Sequence, residues 1–179
     1  MSDQPKRPYE PMYKIACGLV ERLQGACHRI EIAGSLRRKE KLIGDIEIVA
    51  VPIMHTNLLG EPLDTSAVDG LLAGWPVTLI KNGPKQKAFD FVGSKGQTYR
   101  VDLFLQPDPA TWGANLLIRT GSRDFTKKMV TLNWQGGFMP VGYRVKDARV
   151  WRNGEPLDTP EEADVFELWG MGFIEPGAR

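Results

Sequence analysis

The clearest candidates for chemistry in this chain are two carboxylates separated by one apolar residue. Asp45 and Glu47 flank Ile46 in "GDIEIVAVP". In a β-strand, residues two positions apart point to the same face, so both carboxylates project together while Ile46 and Ile48 face the core. Like charges held side by side repel unless a cation lies between them. The spacing therefore indicates a cation site, against the plainer alternative of a solvated strand face.

A candidate phosphate-binding element precedes these carboxylates. Gly34-Ser35 ends an apolar run and supplies backbone donors and a hydroxyl, a combination that suits phosphate oxygens. Gly44, directly before Asp45, allows a ligand to approach the backbone closely. The intervening segment carries basic side chains at Arg37, Arg38, Lys39 and Lys41. An anion site beside a cation site predicts a metal-chelated phosphate as the ligand, and a nucleoside triphosphate with Mg²⁺ fits best.

A third carboxylate is available further along the chain. A two-metal site normally needs one, and Asp102 lies in "YRVDLFLQP" between Val101 and Leu103. A lone aspartate in an apolar strand is costly unless it is paired or metal-bound. We therefore interpret Asp102 as the third metal ligand, the alternative being an edge-strand aspartate that faces water.

The hydrophobic pattern predicts the elements that position these residues. Apolar residues recur at intervals of three and four from Met12 to Leu23, which predicts a helix that starts near Pro11. Residues 1–9 are expected to form a loose arm, and residues 55–64 a turn-rich loop. The remaining pattern predicts a short helix over residues 66–73 and strands over residues 30–32, 46–51, 77–80, 88–92 and 98–105.

The composition changes at "QPDPATWG", where two prolines and the loss of β alternation indicate a subdomain boundary. Beyond it we predict helices over residues 112–119 and 123–134, strands over residues 143–145 and 148–151, and a tight turn at Asn153-Gly154. The last helix is predicted to have Thr159 as N-cap, Pro160 at its first position and Glu162 completing a capping box. The prediction is an α+β fold with two subdomains, residues 1–107 and residues 108–179.

Length, charge and cysteine content restrict the class of protein. The 179 residues include 23 Lys and Arg against 22 Asp and Glu, so the net charge of +1 argues against a basic coat and leaves local patches to decide. Cys17 and Cys27 form no CxxC motif, which predicts free thiols. An apolar signal segment and long apolar runs are both absent from the sequence. We expect a cytoplasmic, intracellular protein that binds no membrane.

These motifs together resemble a known family. A Gly-Ser pair, two carboxylates on the next strand and a distant strand aspartate are similar to the nucleotidyltransferase superfold. More specifically, "AGSLRRKEKLIGDIEIVAVP" resembles the palm of family X DNA polymerases, the polymerase beta group. Three later segments resemble the thumb of that family, in order and almost without gaps: "LLIRTGSRDFTKKM", "GGFMPVGYRV" and "NGEPLDTPEEADVFELWGMGFIEPGAR". The resemblance implies a catalytic palm with a mixed β-sheet and helices over residues 1–107, and a small α+β thumb over residues 108–179 that binds nucleotide and DNA.

The resemblance also implies roles for individual residues. Asp45, Glu47 and Asp102 match the catalytic carboxylates that hold two Mg²⁺ ions, and Asp102 matches the position that activates the primer 3′-hydroxyl. The implied contacts to nucleotide phosphates come from Gly34, Ser35, Arg38 and Gly44. The implied contacts to the sugar and base come from Arg119, Thr120, Gly121, Ser122, Arg123 and Thr126, and those to DNA from Lys127 and Lys128.

Several positions depart from the family pattern. Glu47 stands where these polymerases usually carry Asp, which lengthens the ligand arm by one methylene and makes Mn²⁺ an alternative metal. Ile118-Arg119 replaces an aromatic pair that contacts the sugar, so the choice between ribose and deoxyribose does not follow from the resemblance. Three replacements near the base, the minor groove and the template lead us to expect low fidelity: Arg123, Thr126 and Val130.

The expected activity is metal-dependent nucleotidyl transfer from a nucleoside triphosphate to a DNA primer, as template-directed gap filling by a monomer. The chain has no room for the lyase and helix-hairpin-helix domains of larger relatives, so local basic patches are expected to grip DNA. The palm candidates for such a patch are Lys81, Lys85 and Lys87.

Two other readings stay open. The first is a template-independent terminal transferase, or a transferase that acts on RNA or protein. The second is a catalytically silent nucleotide-binding module, which has less need for three carboxylates beside Ser35 and Arg38. Most of the five tryptophans are expected to be core or interface residues rather than base-stacking platforms: Trp75, Trp112, Trp134, Trp151 and Trp169.

Overall fold

The computed structural model describes residues 5–94 and 96–179. The chain divides into two compact units, one that ends at Pro107 and one that spans Asp108–Arg179. Helices and strands occur in both units, and the largest sheet contains both parallel and antiparallel pairs, in agreement with the predicted α+β class. None of the helices in the described part of the chain is long and apolar enough to cross a membrane.

The described residues of the first unit form nine strands and three α-helices. The helices are α1 (Tyr9–Leu23), α2 (Gly34–Arg37) and α3 (Ala67–Ala73). The strands are β1 (Arg7–Pro8), β2 (Cys27–Ile32), β3 (Leu42–Ile43), β4 (Ile46–Pro52), β5 (Met54–Thr56), β6 (Pro62–Ser66), β7 (Val77–Asn82), β8 (Gln86–Val92) and β9 (Thr98–Leu105).

A five-stranded mixed sheet organises the first unit. Its strand order is β2-β4-β9-β8-β7, in which β4 and β9 run parallel and the other neighbours run antiparallel. The carboxylate-bearing strands β4 and β9 are therefore interior strands. The edge-strand alternative for Asp102 is wrong, because β9 is paired on both sides.

The core of this unit lies on one face of the sheet. Ile46, Ile48, Val101 and Leu103 are fully buried and pack with the apolar stripe of α1. That stripe consists of Met12, Ala16, Leu19 and Leu23, the spacing of three and four that predicted the helix. Strand alternation then directs Glu47 and Asp102 to the opposite face of the sheet.

The second unit packs three helices against a small antiparallel sheet. Its helices are α4 (Trp112–Thr120), α5 (Arg123–Met129) and α6 (Glu162–Leu168), and its strands are β10 (Tyr143–Lys146), β11 (Arg149–Arg152) and β12 (Glu155–Leu157). The predicted turn between β11 and β12 is present, with positive φ at both Asn153 and Gly154. The core contains Leu117, Met129, Val150, Val165 and Phe166.

Two element predictions in the first unit were wrong. Arg7 and Pro8 form β1 against β3, and α1 begins at Tyr9, so the expected loose arm is ordered there; residues 1–4 lie outside the described part. The stretch expected to be a turn-rich loop contains the β5–β6 hairpin. Its turn is held by Asn57, whose Oδ1 accepts hydrogen bonds from the backbone N–H groups of Leu59 and Glu61. These hydrogen bonds hold the turn between two short strands that the sequence pattern did not indicate.

Two helix boundaries in the second unit were also wrong. The helix α5 ends at Met129 rather than Trp134, and the Thr131 hydroxyl donates to the Lys127 carbonyl beyond its end. The helix α6 starts at Glu162, after a capping box formed by Glu161 and Asp164. Thr159 is instead fully buried, because its backbone bonds the segment that leads into α4.

A buried ion pair in the first unit corrects the interpretation of a palm lysine. Lys87 is 2% exposed, and its Nζ lies 2.5 Å from Asp69 Oδ1 and 2.7 Å from Asn82 Oδ1. Burial raises the pKa of Asp69, but hydrogen bonds from Lys87 and Ser66 outweigh it and leave that pKa below its usual value. Lys87 therefore stabilises the fold and is not available to DNA.

We expect Asp69→Asn to lower the free energy of unfolding by roughly 2 to 3 kcal/mol, because it leaves the Lys87 ammonium buried without its carboxylate. The matched control is Asp64→Asn on exposed β6, which should change stability by less than about 0.5 kcal/mol. The contribution of Asp69 should persist above its unfolded pKa, about 4, and disappear as the pH falls through its lower folded pKa. Urea denaturation of both variants and wild type at several pH values measures this. Equal stability of the two variants at neutral pH would contradict it.

A second buried ion pair joins Arg179 to α6. The Arg179 side chain is fully buried, and its Nη1 lies 2.6 Å from Glu162 Oε1. Its guanidinium also lies 5.3 to 5.6 Å from the ring centroids of Phe125, Phe166 and Phe173. Arg179 thus binds α5, α6 and the final segment together by charge and by cation–π contact.

We expect Arg179→Met to destabilise the chain by about 3 kcal/mol, because Glu162 would stay buried without its partner. The control is Lys146→Met on the exposed side of β10, for which a change within about 0.5 kcal/mol is expected. Thermal and urea denaturation compare the two. A loss no larger for Arg179 than for Lys146 would mean that this ion pair does not hold the second unit together.

Candidate functional site

Glu47 and Asp102 lie directly opposite each other on neighbouring parallel strands. In the β4–β9 register, Glu47 pairs with Asp102, while Ile46 pairs with Val101 and Ile48 with Leu103. Both carboxylate residues are half-buried. Since paired residues of adjacent strands share a face, the two carboxylates are neighbours on the face opposite the helical core.

The third carboxylate, Asp45, lies in the bend that leads into β4. The Asp45 carboxylate interacts electrostatically with Arg100 of β9. The pKa of Arg100 is raised by its hydrogen bond to Asp90 and by the charges of Asp90, Asp102 and Asp45. The Arg100 guanidinium grips Asp90 through two bonds, Nε to Oδ1 at 2.6 Å and Nη2 to Oδ2 at 3.2 Å. Arg100 therefore supplies positive charge near three acidic side chains, those of Asp90, Asp102 and Asp45.

Sequence reasoning missed Arg100 and Gln86. Arg100 lies two residues before Asp102 on the same strand face, a spacing that could have identified it. Gln86 Nε2 donates a 3.1 Å hydrogen bond to Asp102 Oδ1, and its Oε1 accepts one from Lys81 Nζ. This contact carried no sequence signal, because the two residues meet only through the register of β8 against β9. Lys81, a candidate DNA contact, thus bonds to the residue that holds Asp102.

The Gly34-Ser35 segment is joined to the carboxylates through the backbone. The Ala33 N–H donates a 2.8 Å hydrogen bond to the Glu47 carbonyl, and the short helix α2 follows at Gly34. Gly34 has φ +60°, and a Cβ added there would lie 1.8 Å from Glu47 Oε2. The Glu47 carboxylate therefore lies against the backbone at the start of α2, beside the half-buried Ser35.

The remaining phosphate-binding candidates flank this contact. Arg38 follows α2 and its side chain is only 14% exposed, with Nε 3.6 Å from Glu40 Oε1. Gly44 lies in the bend next to Asp45. Gly34, Ser35, Arg38 and Gly44 thus come close in the chain to two of the carboxylates, and their role in phosphate binding stays a prediction.

The donor set suits a hard divalent cation. Three carboxylates supply the oxygen ligands that Mg²⁺ and Mn²⁺ prefer. Among the described residues, however, no three His, Cys, Asp or Glu side chains are gathered closely enough to hold a metal. One Asp102 oxygen instead accepts the bond from Gln86. The residue types fit the metal, and its binding stays a proposal.

The sugar- and base-binding candidates surround the α4–α5 turn of the second unit. Thr120 is fully buried, and the Ser122 hydroxyl caps α5 by accepting from the Phe125 N–H at 3.2 Å. The Thr126 hydroxyl donates to the Ile118 carbonyl at 3.2 Å. A Cβ at Gly121 would lie 2.6 Å from the Thr126 hydroxyl oxygen, so this turn is tightly packed. These residues have structural roles in the turn, and their nucleotide contacts stay predictions.

The cationic candidates of the second unit are more accessible. Arg119 is half-buried on the last turn of α4, whereas Arg123, Lys127 and Lys128 are exposed on α5. The Lys128 Nζ lies 5.8 Å from the centroid of the Phe138 ring. Their exposure leaves the α5 cations accessible to a ligand, and their contact with DNA stays a prediction.

The two cysteines are free thiols, as expected. Burial raises the pKa of Cys27 to about 11, so this thiol stays protonated at neutral pH. Because the thiolate is the nucleophilic form, Cys27 is a poor nucleophile and belongs to the fold rather than to the candidate site.

We expect Gly34→Ala to destabilise the chain by about 2 to 4 kcal/mol, because the methyl group meets both a left-handed backbone and the Glu47 carboxylate. Gly60→Ala is a matched control, since Gly60 has φ +81° and open space around its Cα. It should cost only the backbone penalty, about 1 to 2 kcal/mol. Denaturant unfolding of both variants isolates the contact with Glu47, and equal losses would contradict the close approach.

Comparison with known proteins gives an informative similarity. The search found no family model that matches the chain. The chain is 30% identical over 160 residues to DNA polymerase lambda of Rattus norvegicus. The alignment covers 82% of this chain and 28% of that protein, so the chain spans less than a third of the relative's length. The similarity supports a family X-like relationship for this chain.

Proposed function

We propose that the chain is a metal-dependent nucleotidyltransferase of the family X type. It transfers a nucleotidyl group from a nucleoside triphosphate to the 3′-hydroxyl of a DNA primer, as template-directed gap filling of low fidelity. The observation that carries this proposal is the register that sets Glu47 beside Asp102 on parallel strands, with Ala33, directly before Gly34-Ser35, bonded to Glu47. The similarity to DNA polymerase lambda supports the same reaction class.

In this proposal the first unit is a nucleotidyltransferase palm and the second a thumb. Asp45, Glu47 and Asp102 would hold Mg²⁺, with Mn²⁺ as the alternative. When bound, such ions lower the pKa of an attacking hydroxyl and neutralise developing charge on phosphate. Asp102 is oriented for its part by Gln86, and Arg100 moderates the repulsion among the carboxylates before any ligand binds.

The phosphates of the nucleotide would be held by the segment around α2. Ser35 offers a hydroxyl and Arg38 a largely buried guanidinium, which binds phosphate more strongly than an exposed one would. The hydrogen bond from Ala33 to Glu47 holds this segment beside one of the carboxylates. Such positioning would keep the α-phosphate in line with an attacking 3′-hydroxyl while pyrophosphate leaves.

The second unit would contact the sugar, the base and DNA. Arg119 and Arg123 carry planar guanidinium groups that can stack on or hydrogen-bond a base. The exposed Lys127 and Lys128 would neutralise phosphates of the DNA backbone, so binding should weaken steeply with salt. The proposal describes a monomer, because every group it uses belongs to one chain.

The test is primer extension on a one-nucleotide-gapped duplex, with each dNTP and NTP offered singly in Mg²⁺ or Mn²⁺. Asp102→Asn preserves the shape of the side chain and an acceptor for Gln86 while removing its charge. We expect this variant to lose at least about 100-fold in rate. Asp64→Asn on β6 should extend the primer at the wild-type rate.

Each alternative reading corresponds to a distinct result of that experiment. Addition regardless of the templating base would replace the proposal with a terminal transferase. Nucleotide binding without addition to DNA or RNA primers would indicate a silent module. Addition that survives Asp102→Asn would show that the reaction does not use this site.

A further inference from the structure

Trp134 differs from the other four tryptophans of the chain. Its side chain is 69% exposed, whereas Trp112 and Trp169 are buried. Trp75 is covered by the Arg22 guanidinium at 4.0 Å, and Trp151 by the Arg144 guanidinium at 4.9 Å. Within the described residues, neither an aromatic ring nor a cation stacks on Trp134. Trp134 is thus an exception to the expectation that most of the tryptophans are core or interface residues.

A tightly bonded turn holds Trp134 outward. The Asn133 N–H donates to the Met139 carbonyl at 2.8 Å, and the Asn133 Oδ1 accepts from the Trp134 N–H at 2.8 Å. Gly136 follows with φ +85°, and a Cβ on Gly137 would lie 2.0 Å from the Thr131 carbonyl oxygen. The turn is therefore ordered without help from the indole ring. An exposed aromatic ring held outward on an ordered turn is accessible to a ligand.

Cations adjoin this turn. The Lys128 carbonyl accepts from the Phe138 N–H at 2.8 Å, and the Lys127 carbonyl accepts from the Thr131 hydroxyl at 2.6 Å. Both lysine side chains are exposed, and neither forms an ion pair within the described part of the chain, not even with Asp124 one turn earlier. Residues 130–142 contain no charged side chain. An exposed indole on a turn that adjoins two exposed lysines, of which Lys128 also lies over the Phe138 ring, complements a ligand that has both flat rings and phosphates.

We propose that Trp134 is a stacking platform for an unpaired base of a DNA strand, with Lys127 and Lys128 on the phosphates beside that base. The proposal rests on the proposed function, which it extends by naming a binding site outside the carboxylate cluster. Base stacking on an aromatic side chain tolerates any sequence, since each base has a flat face. The two exposed lysines favour a polyanion over a purely apolar partner.

The experiment measures binding of the full chain to two probes of equal length and charge, an oligothymidylate and an abasic oligodeoxyribonucleotide. Quenching of tryptophan fluorescence reports contact with the exposed indole, and anisotropy of a labelled probe gives the affinity. The variants are Trp134→Leu, which removes the ring, and Trp134→Phe, which keeps one. Val141→Ala is the matched control, because Val141 is 70% exposed and close in the chain.

We expect Trp134→Leu to weaken oligothymidylate binding about tenfold and to leave abasic binding unchanged. Trp134→Phe should retain most of the affinity, and Val141→Ala should match wild type. The proposal is overturned if wild type does not bind oligothymidylate, or if Trp134→Leu affects both probes equally or neither. A loss of equal size in Val141→Ala also overturns it, in favour of an apolar protein-docking surface.

Gap filling by wild type is scored separately. If wild type fills gaps and Trp134→Leu binds DNA as tightly as wild type, only the proposed stacking platform is contradicted. A chain that binds through Trp134 but adds no nucleotide contradicts the proposed function and leaves the platform in place.

Discussion

The parallel pairing of β4 with β9 is the constraint on which the candidate site depends. Shifting this register by one residue would set Val101 or Leu103 beside Glu47 and break its alignment with Asp102. The core prevents such a shift, because Ile46, Ile48, Val101 and Leu103 are all completely buried. The same apolar residues that stabilise the fold therefore fix the positions of the two carboxylates. Chemistry on one face of the sheet is determined by packing on the other.

Placing like charges on interior strands has an energetic cost, and the structure shows what offsets it. Arg100 pairs with Asp90 and responds to the charges of Asp102 and Asp45. Gln86 donates a hydrogen bond to Asp102. A metal ion bound to the carboxylates, as proposed, would add to this compensation. The backbone hydrogen bond from Ala33 to Glu47 joins this carboxylate-bearing strand to the segment that contains the phosphate-binding candidates.

Patterns that depend on the core were predictable from sequence, and contacts that depend on three-dimensional register were not. The helix α1 and the strands β4 and β9 follow from apolar spacing, because burial of those side chains dominates their stability. The carboxylate pair followed from strand alternation.

Contacts between residues far apart in sequence could not be predicted. No local pattern could indicate the contact of Gln86 with Asp102 or the burial of Lys87 against Asp69. Trp134 is an exception to the expectation that most tryptophans are core or interface residues, because it lies on a glycine-rich turn that leaves its side chain exposed. Helix ends at Thr159 and Trp134 were wrong because hydrogen bonds beyond the helix decided them.

The central claim is that Glu47 and Asp102 form one cation-binding pair beside a phosphate site. The most direct measurement is electron paramagnetic resonance of Mn²⁺ titrated into the full chain, with and without a non-hydrolysable deoxynucleoside triphosphate. The account predicts that Mn²⁺ binds wild type more tightly with the nucleotide, beyond its affinity for the nucleotide alone. Glu47→Gln should abolish that enhancement, while Glu61→Gln on the exposed β5–β6 turn should leave it intact. Binding of Mn²⁺ that is the same in wild type and Glu47→Gln would contradict the account.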